Sequence, residues 1–279
     1  MNCQPFNGTV LRSTEGRLDL KGTMTPESLM TSRLTQMIFH GFLWIAPCVT
    51  SLLWAQTPAQ SPHRFEGVVA RKVAYDYLQF LPAGYEEGST HQWPLMLFLH
   101  GAGERGNDLE KVKQHGPPRR VDADPDFPFV LISPQCPEGQ VWDADALLGL
   151  LDEVVDRLNI DTKRVYVTGL SMGGFGTWNL IAKDPGRFAA AAPICGGGST
   201  RDFLLPRSRA ALESLPIWVF HGEKDTVVLP EESKRLVAFF QSRLQGRIKL
   251  TLYPEAGHDS WTATYANPEL YQWMLEQRR

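Results

Sequence analysis

Cysteine is scarce in this sequence, and no two cysteines have the spacing of common zinc ligands. The 279 residues contain four, Cys3, Cys48, Cys136 and Cys195, without a single C-x-x-C pair. We therefore expect no structural zinc site.

A large excess of charge is also absent. The formal net charge is only -3, and the sequence has no basic stripe that would neutralise phosphates, so we expect no nucleic-acid partner. Residues 65–279 contain no repeat or low-complexity segment. With 43% hydrophobic and 21% charged residues, the composition is that of an ordinary globular protein, and one α/β domain accommodates it.

The beginning of the chain shows a targeting pattern. Residues 1–29 are polar and lack periodicity, Arg33 follows, and an apolar run ends in the small residue Ala55. A basic start, an apolar middle and a small last residue are typical of a secretory signal peptide, predicted here over residues 30–55 with cleavage after Ala55. Because a signal peptide begins near its initiator methionine, we interpret residues 1–29 as a start-site extension or a disordered segment.

This pattern predicts a secreted or periplasmic protein without a stable membrane span after processing. The alternative is an uncleaved segment that anchors the protein in a membrane. Residues 56–64 are rich in glutamine and proline and indicate a linker to a catalytic domain over residues 65–279.

The predicted catalytic domain alternates between strand-like and helix-like segments. Residues 68–81 have the pattern of an edge strand, and later apolar runs are typical of strands buried on both faces of a parallel sheet. These runs cover residues 93–99, 129–133, 165–167, 188–194, 217–220 and 248–253. Helices are predicted over residues 144–158, 175–183, 230–244 and 267–277. The alternation predicts a mainly parallel central sheet with helices on both faces.

A serine lies between one predicted strand and the helix that follows it. Gly169, Ser171 and Gly173 form the pattern G-x-S-x-G within the segment RVYVTGLSMGGFG. In this setting the serine occupies a sharp turn that lifts its hydroxyl clear of the sheet, and the glycines prevent collisions with neighbouring backbone. We predict that Ser171 is a nucleophile. The alternative is a glycine-rich structural turn.

Ligands of parallel sheets bind beyond the carboxyl ends of the strands, so reactive residues directly after strands are the candidates. The stretch HGAGERG follows residues 93–99, and its glycines let the backbone approach a ligand. The amides of Ala102 and Met172 are predicted to form a two-donor oxyanion hole, with a simple turn as the alternative. His100 is interpreted as a packing residue that holds this loop.

An acid and a histidine follow two further strands. Asp225 comes after residues 217–220 and is preferred to Glu223 because it falls at the tip of the turn. His258 follows the next strand and is the only histidine placed after both a strand and the acid. The order serine, acid, histidine is that of α/β-hydrolases, in which the acid orients the imidazole. The alternatives are a surface charge and a structural histidine.

Five motifs carry a family resemblance: LHGAGERG, GLSMGGFGTW, APICGGG, VFHGEKD and YPEAGHDSW. They resemble secreted bacterial esterases of the α/β-hydrolase superfamily, grouped with dienelactone hydrolases and with polyhydroxybutyrate-depolymerase-like and feruloyl esterases. The resemblance implies an α/β-hydrolase fold without metal or organic cofactor. It also implies a triad of Ser171, Asp225 and His258 and an oxyanion hole of the Ala102 and Met172 amides. Dienelactone hydrolases proper use a cysteine nucleophile, so dienelactone is a poor substrate expectation here.

Weaker features indicate the substrate. No long insertion lies between residues 197 and 216, where lids commonly occur, so an open site with little or no lid is expected. Trp142, Trp261 and Tyr265 are predicted to form an aromatic platform for a sugar or an aromatic acyl group, with rim packing as the alternative. We expect a carboxylesterase that cleaves carbohydrate-linked acetyl or feruloyl esters or other small esters. The alternatives are a serine peptidase or phospholipase of the same fold, and a catalytically silent binding module.

Cys136 and Cys195 remain in the chain after removal of a signal peptide. Each follows a predicted strand, and two other strands are expected to separate these strands in the sheet. A direct bridge would need unusually long loops, so free thiols are favoured.

Overall fold

The computed structural model describes residues 62–68, 71–204 and 209–279. The predicted start-site extension, the signal peptide and most of the linker lie outside these residues, so they stay predictions. No helix in the described ranges is both long and apolar enough to span a bilayer. The chain from Gly67 onward forms one compact unit.

In the part of the chain that the structure describes, seven strands form a single sheet in the order β1-β3-β2-β4-β5-β6-β7. The strands are β1 Tyr77–Phe80, β2 Trp93–Leu99, β3 Val130–Pro134, β4 Ile160–Leu170, β5 Ala190–Ile194, β6 Ile217–Gly222 and β7 Ile248–Tyr253. Only β1 runs antiparallel, to β3, and every other pair is parallel. The apolar runs of β2 to β6 are buried because helices cover both faces of the sheet. The expected mainly parallel sheet is confirmed.

Seven α-helices accompany the sheet within the described ranges. They are α1 Gly116–Val121, α2 Ala144–Arg157, α3 Met172–Lys183, α4 Arg209–Ser214, α5 Glu231–Phe239, α6 Trp261–Ala266 and α7 Pro268–Glu276. A π-helical turn, Phe240–Leu244, continues α5, and short 3-10 helices cover Ala102–Glu104, Leu109–Gln114, Pro185–Arg187 and Thr200–Phe203. One hydrophobic cluster packs α2, α3 and α5 on one face, and a second packs α6 and α7 on the other.

The predicted edge strand over residues 68–81 is wrong in length. Among the described residues of this stretch, only Tyr77–Phe80 is a strand, with a register from Tyr77 opposite Pro134 to Phe80 opposite Leu131. The short β1 has one neighbour, β3, and β3 is itself only five residues long, so the backbone before Tyr77 has no strand to pair with. The alternating pattern of residues 71–76 therefore does not form a strand.

Helix α1 lies outside every predicted helix. It opens with Gly116, Pro117 and Pro118, residues that usually indicate a loop. Proline is tolerated in the first helical turn because its missing N–H has no intrahelical acceptor there. A helix can therefore form here even though the residues Gly-Pro-Pro do not predict one.

The carboxyl ends of β2, β4, β6 and β7 lie at one edge of the sheet and carry the four loops that the sequence singled out. Cys136 follows β3 and Cys195 follows β5, with β2 and β4 between them, as expected. Both thiols are free and buried, in agreement with the prediction.

Candidate active site

Ser171 occupies a strained turn between β4 and α3. Its φ of 51° and ψ of -114° lie outside the regions that ordinary residues prefer. A Cβ at Gly173 would lie 1.9 Å from the Leu99 carbonyl oxygen, and one at Gly169 would lie 2.4 Å from the Gly173 oxygen. No other residue fits at these two positions, so the flanking glycines permit the turn that exposes the serine.

Three side chains from separate loops meet at this turn. The His258 Nε2 atom lies 2.9 Å from Ser171 Oγ, and its Nδ1 atom lies 2.7 Å from Asp225 Oδ2. Because a carboxylate only accepts, Nδ1 carries the proton and Nε2 accepts from the serine hydroxyl. Asp225 is buried, whereas Ser171 and His258 are each partly exposed. The serine end of this chain of hydrogen bonds is therefore the end that solvent or a ligand can reach.

Asp225 is held by four donors. The Val227 and Val228 amides donate to Oδ1 at 2.8 and 3.0 Å, and the His258 and His221 rings donate to Oδ2. Burial alone would raise the pKa of Asp225, but the bonds from His258 and the two amides outweigh it and hold the pKa below its ordinary value. The side chain therefore stays a carboxylate that can stabilise an imidazolium.

His221 is a residue that the sequence argument did not assign. Its ring is fully buried, with Nε2 2.8 Å from the Val228 carbonyl oxygen and 3.2 Å from Asp225 Oδ2. Two acceptors at Nε2 fix the proton there, so Nδ1 accepts from the Ser233 hydroxyl at 2.7 Å. His221 thus ties the acid to the start of α5. Its place at the end of a buried strand, four residues before the acid, was the available signal.

The loop after β2 is braced from two directions. Glu104 Oε2 accepts from the Gly101 amide at 2.8 Å, and the Cys136 amide donates to His100 Nε2 at 2.9 Å. His100 Nδ1 donates to the Gly101 carbonyl at 2.6 Å, which supports its interpretation as a residue that holds the loop. Burial lowers the pKa of His100 to about 4, so the ring is neutral at pH 7.

Two backbone amides remain as candidates for binding an oxyanion. Ala102 is the first residue of a short 3-10 helix, and Met172 is the first residue of α3. The first N–H groups of a helix have no intrahelical acceptor, and those of α3 carry the positive end of its dipole. Both predicted amides therefore lie at helix starts shortly after β2 and β4, where the N–H groups have no acceptor within their own helix.

The Cys195 thiol also lies close to Asp225 and His258. The Cys195 sulfur, an Asp225 oxygen and a His258 nitrogen lie within 4.8 Å of one another. Burial raises the pKa of Cys195 to about 12, so its thiol is protonated, and the Asp225–His258 hydrogen bond already uses the other two groups. Cys195 therefore lies beside the Asp225–His258 pair as a protonated, buried thiol.

The predicted aromatic platform is wrong for two of its three members. Trp142 is only 4% exposed, donates from Nε1 to the His100 carbonyl and packs against Gly176. Tyr265 is 6% exposed, with its hydroxyl 3.0 Å from Thr168 Oγ1. Both rings pack into the core because their polar atoms find partners there. Trp261 is half-buried, and its ring lies 5.3 Å from that of His258, so it alone borders the site.

The chain is similar to known esterases in sequence. The sequence model of the dienelactone hydrolase family matches residues 139–269. A curated relative, the bifunctional acetylxylan esterase/xylanase XynS20E of Neocallimastix patriciarum, is 31% identical over 142 residues, which are 48% of this chain and 20% of the relative.

Solved structures show the same architecture. A thermostable esterase superposes with a TM-score of 0.63 at 34% identity, over 74% of this chain and 60% of that one. Esterase PE8 superposes with a TM-score of 0.55 at 19% identity, over 74% of this chain and 100% of that one, and supports the fold alone. The sequence match to the acetylxylan esterase/xylanase, in contrast, spans only a fifth of that relative's length. The resemblance to the α/β-hydrolase esterases, and the α/β-hydrolase fold, are confirmed.

Proposed function

We propose that this chain, an α/β-hydrolase by fold, is a serine hydrolase that cleaves carboxylic esters through an acyl-enzyme. One observation carries the proposal: Ser171 Oγ, His258 and Asp225 form an unbroken line of hydrogen bonds of 2.9 and 2.7 Å. This is the geometry required of a nucleophile, a general base and an orienting acid.

In the first half-reaction His258 Nε2 takes the Ser171 proton as Oγ bonds to the ester carbonyl carbon. The carbonyl electron pair moves onto oxygen, and the amides of Ala102 and Met172 stabilise that charge. The intermediate collapses as the carbon–alkoxy bond breaks, and His258 returns its proton to the leaving alcohol. Asp225 remains a carboxylate throughout and stabilises the transient imidazolium.

In the second half-reaction water replaces the alcohol. His258 accepts a proton from water as its oxygen attacks the acyl carbon, and the bond to Oγ then breaks. Ser171 regains the proton, and the carboxylic acid leaves. Every proton transfer uses His258 Nε2, which is the ring atom facing the serine.

The proposed substrates are carbohydrate-linked acetyl or feruloyl esters or other small esters, and the proposed location is outside the cytoplasm. The acetylxylan esterase activity in the name of the 31% identical relative supports the proposed substrates. The signal-peptide pattern over residues 30–55 supports the proposed location. Half-buried Trp261 next to His258 supplies an aromatic surface against which a sugar or phenyl ring can lie.

The test is the Ser171→Ala variant with p-nitrophenyl acetate, followed by acetyl-xylan, feruloyl, longer acyl and peptide substrates for the wild type. We expect turnover to fall to the background rate while the thermal unfolding transition is unchanged, because among the described residues the serine hydroxyl bonds only to His258. Retained turnover by the variant would contradict the assignment of the nucleophile. Cleavage of peptides in preference to esters would contradict the substrate class.

A further inference from the structure

A groove beside the candidate active site is not used by the proposed chemistry. It has a volume of about 520 Å³, within the usual range for ligand sites. Helices α1 and α6 form its two walls, and its lining includes His115, Arg119, Arg120, Asp124, Thr262 and Tyr265.

The groove begins next to the catalytic imidazole. Trp261, the first residue of α6, has its ring 5.3 Å from His258 on one side and 5.5 Å from His115 on the other. His115 immediately precedes α1, and its Nε2 lies 3.9 Å from Glu104, which braces the loop after β2. One aromatic ring thus separates the catalytic histidine from the mouth of the groove.

The cations of the groove differ in how they are held. Arg120 donates to Asp124 at 2.9 Å and lies over the Tyr271 ring at 4.9 Å, so its charge and that of Asp124 compensate each other. Arg119 is exposed, and no acidic side chain in the described ranges lies within ion-pair distance of it. Arg119 is therefore an uncompensated positive charge in a groove of a chain whose net charge is -3.

We propose that this groove binds a sugar unit bearing a carboxylate, a uronic acid, next to the acylated sugar. The inference rests on the proposed esterase function. The His115 ring lines the groove and is held by edge-on packing against Trp261 at 5.5 Å, so it offers a surface for a sugar. The Thr262 hydroxyl donates to Asp259 Oδ2 at 2.9 Å and can accept a hydrogen bond from a sugar hydroxyl. The Arg119 guanidinium matches the two oxygens of a carboxylate.

The kinetic test compares acetylated xylo-oligosaccharides with and without a glucuronic acid side group. The wild type is expected to prefer the acidic oligosaccharide by about tenfold in kcat/KM, mainly through KM, the effect of one charge-assisted hydrogen bond. Arg119→Gln should abolish the preference, and Arg119→Lys should restore part of it. Equal rates of the wild type on both oligosaccharides, or a preference that survives in Arg119→Gln, would overturn the inference.

Arg243→Gln is the matched control. Arg243 lies in the π-helical turn after α5, where the chain returns to the amino end of β7, at the opposite edge of the sheet. The Arg243→Gln variant loses the same charge from an exposed arginine and should keep the preference for the acidic oligosaccharide. If Arg243→Gln removes the preference as completely as Arg119→Gln, the effect belongs to the overall charge and the groove is not the site.

A binding measurement separates this inference from the esterase proposal. Calorimetry of the Ser171→Ala variant with the deacetylated acidic oligosaccharide should show binding that the neutral oligosaccharide lacks and that 0.5 M salt weakens. A wild type without turnover of p-nitrophenyl acetate would contradict the esterase proposal, whereas this binding preference would still support the groove. No difference between the two oligosaccharides would overturn the inference even in an active esterase.

Discussion

Asp225 of the candidate triad and Arg119 of the groove are both charged side chains, but the protein holds them in opposite ways. Asp225 is 2% exposed and accepts four hydrogen bonds, from two amides and two histidines. Arg119 is exposed in a groove and forms no ion pair among the described residues. Burial and four donors keep Asp225 in one charge state and one orientation, whereas the exposed Arg119 stays available for the ligand that we propose.

The largest expected effect follows from removing the buried charge. Asp225→Asn should lower kcat for p-nitrophenyl acetate by about ten-thousand-fold, because the amide no longer fixes the His258 tautomer or stabilises its cation. Glu223→Gln is the matched control, since Glu223 is exposed in the same turn and was the rejected candidate acid. Comparable losses in both variants, or a larger loss in Glu223→Gln, would show that the acid is assigned wrongly.

The next effect concerns stability and pH. The pKa of His100 is about 4 in the folded protein, because of burial, against about 6.5 in an unfolded chain. Between these values the unfolded chain binds a proton that the folded protein does not, so stability is full above pH 6.5 and falls as the pH decreases. From pH 7 to pH 4 this group should lower the free energy of unfolding by about 3 kcal/mol.

Urea unfolding at several pH values measures that loss. Glu104 Oε2, 3.9 Å from Nδ1, and Arg105 are the charged groups that face the ring. His100→Gln keeps an acceptor for the Cys136 amide and should show a shallower fall than the wild type, whereas exposed His91→Gln should follow the wild type. If His100→Gln and the wild type fall in parallel, the buried ring is not the source.

A smaller loss of activity is expected from changing His221, which donates to Asp225. His221→Phe removes the donor to Asp225 and should lower kcat by about tenfold with KM little changed, the order of one hydrogen bond to a charged group. His221→Gln retains an N–H donor and should recover most of the activity. A Phe variant with normal kcat and an unchanged unfolding midpoint would leave His221 with no positioning role.

The positions of Ser171, Asp225 and His258 could be predicted because each directly follows a strand, and the carboxyl ends of parallel strands meet at one edge. The orientation of Trp142 and Tyr265 could not. Both residues lie in segments predicted to be near that edge. Their rings point into the core because Trp142 packs against Gly176 and the Tyr265 hydroxyl bonds to Thr168. The role of His221 likewise depends on Ser233, which only the docking of α5 brings near. Sequence position predicts which loop carries a residue, and packing decides where its side chain points.

The central claim is that Ser171 is made nucleophilic by His258 and Asp225, and labelling tests it most directly. The wild type should be incubated with a fluorophosphonate probe, digested, and its peptides analysed by mass spectrometry. We expect one covalent adduct, on Ser171, which is absent from Ser171→Ala and strongly reduced in His258→Ala. An adduct on another residue, or a folded wild-type protein without any adduct, would contradict it.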